Sequence, residues 1–292
     1  MYELVKVSEN CYYIQSPAKI GVVRLNEKEA CLIDSGNDKD AGRRVKQIFE
    51  NEGWTLKAIY NTHSNGDHIG GNKYLQSRTG CKIYAYGIEC DFTRHPILSP
   101  SFVYGGFPYS ELRGKFLLAQ ESDCEDLTAD TLPEGFEIIP LRGHYFDMVG
   151  FRTPDDIVYL ADSLLSKEIL DKYGVTFLYD VEEYLNTLEK VKNMKARLFI
   201  PCHAEPTEDI YPLAQYNIDK VHEIADKITE ICGEGKCFEA ILKELFDFYG
   251  LKMSHQQYAL VGSTVRSYLS YLKEKGRVCA DFSDNMMLWK KI

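Results

Sequence analysis

The segment from Thr62 to Gly71, THSNGDHIGG, constrains the fold of this chain more than any other part of its sequence. It places two imidazoles, a carboxylate and a carboxamide within six residues, after the strand-like run 58–61 and before a Gly-Gly pair. Burying four such groups without partners costs roughly a few kcal/mol each, so a packing role for all of them is unfavourable. The segment is instead typical of side chains that converge on a metal ion.

Three more polar residues, His144, Asp162 and His203, each follow a later strand-like run. Taken singly, a histidine beside a glycine is more often a turn or core residue than a ligand. Functional groups of α/β folds gather in the crevice beyond the strand ends, and every residue of this set occupies such a position. We therefore expect the three to lie beside the 62–71 segment.

The surrounding pattern predicts an α/β fold. Short runs of β-forming residues separated by turn residues alternate with amphipathic helical runs, which indicates a layered α/β domain. The predicted strands are 11–15, 20–25, 30–34, 58–61, 82–85, 136–140, 149–152, 157–161 and 197–201, and the predicted helices are 40–51, 71–79 and 181–194. The aromatic-rich stretch from about 90 to 127, including 102–109, does not follow this pattern. It is interpreted as a lid or a binding loop, or as a packed surface segment.

The remainder of the chain predicts a small second unit. Helices at 211–232, 237–249 and 254–275, the last with a break at Gly262, precede a hairpin over 277–290. Three helices and a hairpin suggest a winged-helix-like unit. We expect a catalytic domain over 1–208, a connecting helix over 209–235 and the winged-helix-like domain over 236–292.

Composition narrows the function classes. The net charge of −10 argues against electrostatic binding of nucleic acid by the chain as a whole. Residues 236–292 nevertheless carry nine basic and six acidic side chains. Arg266, Lys273, Lys275 and Arg277 could face phosphates there, but a structural role in covering the site entrance or forming a homodimer contact is favoured. The N-terminus lacks signal-peptide features, no run is long enough to span a membrane, and the nine scattered cysteines suit reduced thiols. A cytoplasmic protein is expected.

Together these motifs resemble the metallo-β-lactamase superfamily over roughly the first 205 residues. The family pattern is HxHxDH after an early strand, then a His after a Gly, a bridging Asp and a last His, and Leu32–Gly36 is similar to the family's strand before the first helix. The resemblance implies an αββα sandwich and a metal-dependent hydrolase. The tail is similar to the appendix of some members related to glyoxalase II and to the family's endoribonucleases.

The resemblance also implies a ligand set. The first metal position would take His63, residue 65 and His144, the second would take Asp67, His68 and His203, and Asp162 would bridge them. Residue 65 is Asn here, and its neutral oxygen is a weaker donor to Zn²⁺ or Fe²⁺ than an imidazole nitrogen. We therefore expect one tight ion, most simply zinc with iron or manganese as alternatives, and a second that is weak or absent.

Hydrolysis is the reaction such a site supports, because a divalent ion yields hydroxide at neutral pH. Asp67 and Asp162 are the expected catalytic residues, with Asp162 either bridging two ions or accepting a proton from water. Tyr145 is interpreted as a packing residue. The expected substrate is a small thioester, lactone, ester or phosphoester. The alternatives are an endoribonuclease or phosphodiesterase acting on single-stranded RNA, and a metal-binding sensor without activity.

Overall fold

Two β-sheets stacked against each other form the centre of the molecule in the computed structural model, which describes residues 2–292 except the side chain of Ser283. The first sheet has seven strands in sequential order, antiparallel from β1 to β4 and parallel from β4 to β7. Its strands are β1 Glu3–Lys6, β2 Cys11–Gln15, β3 Ile20–Arg24, β4 Glu29–Ile33, β5 Thr55–Asn61, β6 Lys82–Ala85 and β7 Glu125–Asp126. The second sheet has the order β11-β10-β9-β8. Its strands are β8 Glu137–Pro140, β9 Val149–Arg152, β10 Ile157–Tyr159 and β11 Leu198–Ile200.

Helices cover both outer faces of this pair of sheets. They are α1 Lys39–Glu52, α2 Gly66–Ile69, α3 Asn72–Thr79, α4 Ile88–Arg94, α5 Leu98–Tyr104, α6 Lys167–Tyr173, α7 Val181–Lys192, α8 Tyr211–Cys232, α9 Phe238–Tyr249 and α10 His255–Glu274. Two 3₁₀ turns lie at Ser110–Arg113 and Ala129–Thr131. The expected αββα sandwich is confirmed.

Alternation along the strands explains the layers, since successive side chains of a strand point to opposite faces. In β2, Tyr12 and Ile14 join the apolar cluster under α1, whereas Cys11 and Tyr13 join the cluster between the two sheets. Side chains of β9, β10 and β11 close that second cluster from the other sheet. The seven-stranded sheet therefore buries both of its faces.

The stretch 90–127 is more regular than the sequence indicated. It contains α4, α5, a 3₁₀ turn and β7. Phe102, in α5, packs edge-on against Phe146 at a ring-centroid distance of 4.9 Å. The aromatic run 102–109 thus begins as a packed helix, which ends at Tyr104, whereas Phe107 beyond it is 75% exposed.

The tail has the predicted three helices and hairpin. The hairpin pairs β12 Val278–Ser283 with β13 Met286–Lys291 around Asp284 and Asn285, whose positive φ angles suit a two-residue turn. The expected break at Gly262 is wrong, because α10 runs through it without interruption. The winged-helix assignment and the domain boundaries stay predictions.

One large apolar cluster connects this tail to the second sheet. Leu141 and Leu188 share it with Leu245, Val265 and Tyr268. All nine cysteines are free thiols, and seven of them are buried. Among residues 2–292, no helix combines the length and the apolar character that a membrane crossing requires.

Candidate metal centre

Parallel pairing brings four strand ends to one edge of the sandwich. In the first sheet, β4 and β5 are parallel, so Asp34 after β4 lies beside Thr62 after β5. In the second sheet, β10 and β11 are parallel, which places Asp162 near His203. The backbone N–H of Val149 donates to the carbonyl of Thr62 at 2.9 Å and joins the two sheets at this edge. The strand-end expectation from the sequence therefore holds in the fold.

A first group of ligand-type side chains surrounds Asp162. Its Oδ1 lies 3.1 Å from Nε2 of His68, and its Oδ2 lies 3.2 Å from Nε2 of His203. Asp67 adds a second carboxylate, with Oδ2 at 3.6 Å from the same nitrogen of His203 and at 3.8 Å from that of His68. All four residues offer ligand atoms within 4.8 Å of one another.

A second group shares Asp162 and comprises His63 and His144. Nε2 of His144 is 3.6 Å from Oδ2 of Asp162. The amide Nδ2 of Asn65 lies 3.0 Å from that same histidine nitrogen, in hydrogen-bond contact with it. The atom of His144 that would hold an ion in this group is thus already engaged by Asn65.

Asp34 sets the proton positions on two of the histidines. Its Oδ2 accepts from the Thr62 hydroxyl at 2.7 Å and contacts Nδ1 of His68 at 2.8 Å, so this nitrogen carries the proton. Because the hydroxyl hydrogen of Thr62 is committed to Asp34, its Oγ1 accepts from Nδ1 of His63 at 3.0 Å. Both rings consequently turn Nε2 toward the centre, in the manner of carboxylate-oriented metal ligands.

Charge and burial together determine the ionisation of the first group. Burial lowers the pKa of His68, but the surrounding carboxylates outweigh burial and raise the pKa well above its usual value. The pKa of His203 is raised in the same way. Burial raises the pKa of Asp162, yet His203 and His68 hold that pKa well below the usual range. The carboxylates are therefore ionised and, without an ion, protons occupy both histidines.

The second group behaves differently. Burial, followed by the charge on His68, lowers the pKa of His63 well below its usual value. Burial also lowers the pKa of His144. Both rings are neutral near pH 7, which is the form that binds metals.

The donor set fits a divalent cation. Within the described residues, the buried Nε2 of His63 has no hydrogen-bond partner, and Nε2 of His68 and Oδ1 of Asp162 lie 3.1 Å apart without the alignment of a hydrogen bond. Orphaned buried polar atoms are rare in folded proteins and require an explanation, which a bound ion provides. Mixed imidazole and carboxylate ligands suit Zn²⁺, Fe²⁺ or Mn²⁺.

The solvent exposure of the ligand-type side chains indicates where a substrate would enter the site. His63 and His68 are fully buried and form the floor. The side chains of Asp67 and His203 are 29% and 16% exposed and lie on the solvent side. A Cβ at Gly66 would approach the carbonyl oxygen of Phe116 to 2.8 Å, so the chain at 115–116 borders the same region. The opening therefore lies on the side of the four-residue group.

All seven residues selected from the sequence come together at this edge: His63, Asn65, Asp67, His68, His144, Asp162 and His203. The sequence did not select Asp34 or Glu89, a buried carboxylate whose partners include Ser64. Asp34 also ends a strand, so the strand-end argument could have found it. Tyr145 is buried with its hydroxyl on Ser99 Oγ at 3.1 Å, in agreement with a packing role.

Comparison with known proteins places this chain among related sequences. The profile described as Metallo-beta-lactamase superfamily matches residues 8–203. A hydroxyacylglutathione hydrolase of Methylococcus capsulatus is 44% identical over 165 residues, which cover 56% of this chain and 54% of that protein. Another from Rhodospirillum rubrum is 30% identical over 105 residues, 36% of each chain. The chain thus spans about half or less of the length of these two curated relatives.

Solved structures resemble the whole chain, including the tail. A metallo-beta-lactamase family protein from Thermus thermophilus superimposes with a TM-score of 0.73 at 14% identity, covering 100% of this chain and 98% of that one. A beta-lactamase domain protein from Burkholderia ambifaria gives the same score and identity, covering 99% and 94%. At this identity the likeness establishes the fold alone.

Proposed function

Since this chain belongs to the metallo-β-lactamase superfamily, we propose that it is a metal-dependent hydrolase that acts on a small thioester. Asp67, His68, Asp162 and His203 are the proposed ligands of one tightly held divalent ion, most simply zinc. The observation that carries this proposal is that ligand atoms of these four residues all lie within 4.8 Å of one another.

The thioester is the leading substrate class because the named relatives are hydroxyacylglutathione hydrolases, and a hydroxyacylglutathione is a thioester. Lactones, esters and phosphoesters present a similar electrophilic centre and stay in the substrate panel. The acidic net charge of −10 favours a small molecule over a polyanion.

The residues divide the proposed chemistry between them. A divalent ion bound here supplies water of lowered pKa and polarises the oxygen of the group under attack. Asp162, ionised and buried beside both histidines, accepts the proton of the attacking water. Asp67, on the solvent side, faces the incoming substrate. His68 is held in place from behind by Asp34.

A single tight ion is proposed because, in the group of His63 and His144, a protein contact engages one of the two histidine nitrogens. The amide of Asn65 engages Nε2 of His144, so an ion there would have to displace a hydrogen bond as well as accept a poorer ligand. His63 and His144 are then neutral polar side chains that line the site beside the four proposed ligands.

The basic residues of the tail support a structural role for it. Lys275 pairs with Glu182 at 2.6 Å and Arg277 with Asp226 at 2.9 Å, both within this chain. The guanidinium of Arg266 lies 3.8 Å from the ring centre of Phe238. Side chains engaged in this way are less available to bind the phosphates of a nucleic acid. Their pairing favours the small-molecule proposal over an endoribonuclease.

The test combines metal depletion with a substrate panel of an acyl-glutathione thioester, a lactone, an ester and a phosphodiester. We expect thioester hydrolysis to disappear on chelation, to return with Zn²⁺, Fe²⁺ or Mn²⁺, and to be absent in His68→Ala and His203→Ala. Asp155→Asn, at the opposite ends of the strands, is the control that retains activity. Hydrolysis that persists in metal-free protein would overturn the proposal, and phosphodiester turnover alone would replace it with the nuclease alternative.

A further inference from the structure

Glu89 is a fully buried carboxylate in the first turn of α4 that the proposed mechanism does not use. Its Oε2 accepts hydrogen bonds from the backbone N–H of Ser64 at 3.0 Å and from the hydroxyl of Ser64 at 2.6 Å. Its Oε1 accepts from the backbone N–H of Asp147 at 2.9 Å. One carboxylate thus binds two separate loops.

Those two loops carry the metal-type ligands. Ser64 stands between His63 and Asn65, and the same loop leads directly into α2 with Asp67 and His68. Asp147 stands three residues after His144. The distance between these loops decides whether their side chains converge on one point.

Asp147 strengthens the connection by bonding back to α4. Its Oδ2 accepts from the backbone N–H of Ile88 at 3.2 Å, and its Oδ1 pairs with Arg142 at 2.7 Å. The contact between α4 and the 143–147 loop is therefore reciprocal. Weakening this contact would allow the loop that carries His144 and the loop that carries Ser64 to move independently.

We propose that Glu89 is a positioning residue of the metal centre, whose carboxylate fixes the spacing between the loop at 62–65 and the loop at 143–147. This inference rests on the proposed metal site. The hydrogen bonds of the Glu89 carboxylate go to Ser64 and Asp147 and to none of the seven ligand-type side chains, so it acts through the loops that carry them.

The ionisation of Glu89 provides a signature for this role. Burial raises the pKa of Glu89 to about 7, against the hydrogen bonds from Ser64 and Asp147 that lower it. The ionisable groups facing it are Asp147, which is paired with Arg142, and Tyr145, whose phenol stays neutral because burial raises its pKa. Above pH 7 the carboxylate accepts all three bonds; below pH 7 its proton competes with the donors.

Glu89 makes the stability of the fold depend on pH with a sign opposite to that of a salt-bridged acid. Because the folded pKa of Glu89 is above the usual value, ionising it reduces stability as the pH rises through the interval from 4.5 to about 7. The charged form that organises the loops is therefore held at the expense of stability.

The experiment measures Co²⁺ affinity by competition with a chromogenic chelator at pH 6 and pH 8, in wild-type protein, Glu89→Gln and Glu168→Gln. Glu168 occupies the matching position in the first turn of α6 and is exposed, so its variant should bind like wild type. We expect Glu89→Gln to bind about tenfold more weakly at pH 8, in the range for groups that orient metal ligands. At pH 6 the ratio should shrink to about twofold or less, because wild-type Glu89 is then also neutral. Protonation of the metal ligands affects both proteins and cancels in this ratio.

Ser64→Ala provides a second test should Glu89→Gln fail to fold, because it removes the 2.6 Å bond alone. We expect its Co²⁺ affinity at pH 8 to fall about threefold. Unchanged affinity in either folded variant, or an equal loss at both pH values, would overturn the positioning role. Wild-type protein that binds no Co²⁺ would overturn the proposed function as well, so the two failures are distinguishable.

Discussion

The side-chain amide nitrogen of Asn65 lies 3.0 Å from Nε2 of His144, the atom that an ion in the second group would need. This contact makes the two halves of the centre chemically unequal. Buried nitrogens without a hydrogen-bond partner occur in both groups, at Nε2 of His63 and Nε2 of His68. The group containing His144 differs because Asn65 engages its Nε2.

Replacing Asn65 with histidine should allow a second ion to bind in the group of His63 and His144. His63 and residue 65 are two apart on one loop, and His144 completes three nitrogens beside Asp162. We expect Asn65→His to raise the zinc content from near one to near two per chain, measured by elemental analysis after dialysis. Asn65→Ala, which frees His144 without adding a ligand, should stay near one. Two ions in Asn65→Ala would show that the hydrogen bond, and not the missing imidazole, limits binding.

Asp34→Asn should weaken metal binding without unfolding the protein. The new amide NH₂ faces Nδ1 of His68 and the hydroxyl of Thr62, both of which donate to Asp34 in the wild type. The proton of His68 would then shift to Nε2, where the ion binds. We expect zinc affinity to fall by roughly 10- to 100-fold, measured by chelator competition. Asp155→Asn, remote from the centre, is the matched control, and an affinity equal to wild type in Asp34→Asn would refute the role of Asp34.

Metal binding should release protons near pH 7. The pKa values of His68 and His203 are held well above their usual value by the neighbouring carboxylates, so both rings carry an extra proton in metal-free protein. A divalent ion displaces those protons, and we expect about two to be released per ion. Zinc affinity should accordingly rise with pH. Calorimetry in two buffers of different ionisation enthalpy measures the number, and a value of zero would contradict the described electrostatics.

The strand-end rule predicted the seven ligand-type residues, because the position of a strand end depends on local pattern and on parallel pairing. Glu89 could not be found in this way, since its partners Ser64 and Asp147 are 25 and 58 residues away and only the tertiary fold joins them. The break at Gly262 was wrong for a related reason. Glycine weakens an isolated helix, but α10 packs there against Phe238 of α9, and packing overrides propensity.

Two buried tyrosines should respond oppositely to loss of the hydroxyl. In the described residues the hydroxyl of Tyr268 has no hydrogen-bond partner, whereas that of Tyr145 contacts Ser99. An unpaired buried donor is costly, so Tyr268→Phe should raise the free energy of unfolding by about 1 kcal/mol. Tyr145→Phe should lower it by a similar amount. Urea unfolding midpoints measure both, and a destabilised Tyr268→Phe would show that its hydroxyl has a partner such as water.

The number of zinc ions that wild-type protein holds tightly tests the proposed metal centre most directly. Elemental analysis after saturation and exhaustive dialysis measures this number. The convergence of Asp67, His68, Asp162 and His203, together with the engagement of His144 by Asn65, predicts a value near one per chain. A value near zero would contradict the metal centre itself, and a value near two would contradict the inequality of its two halves.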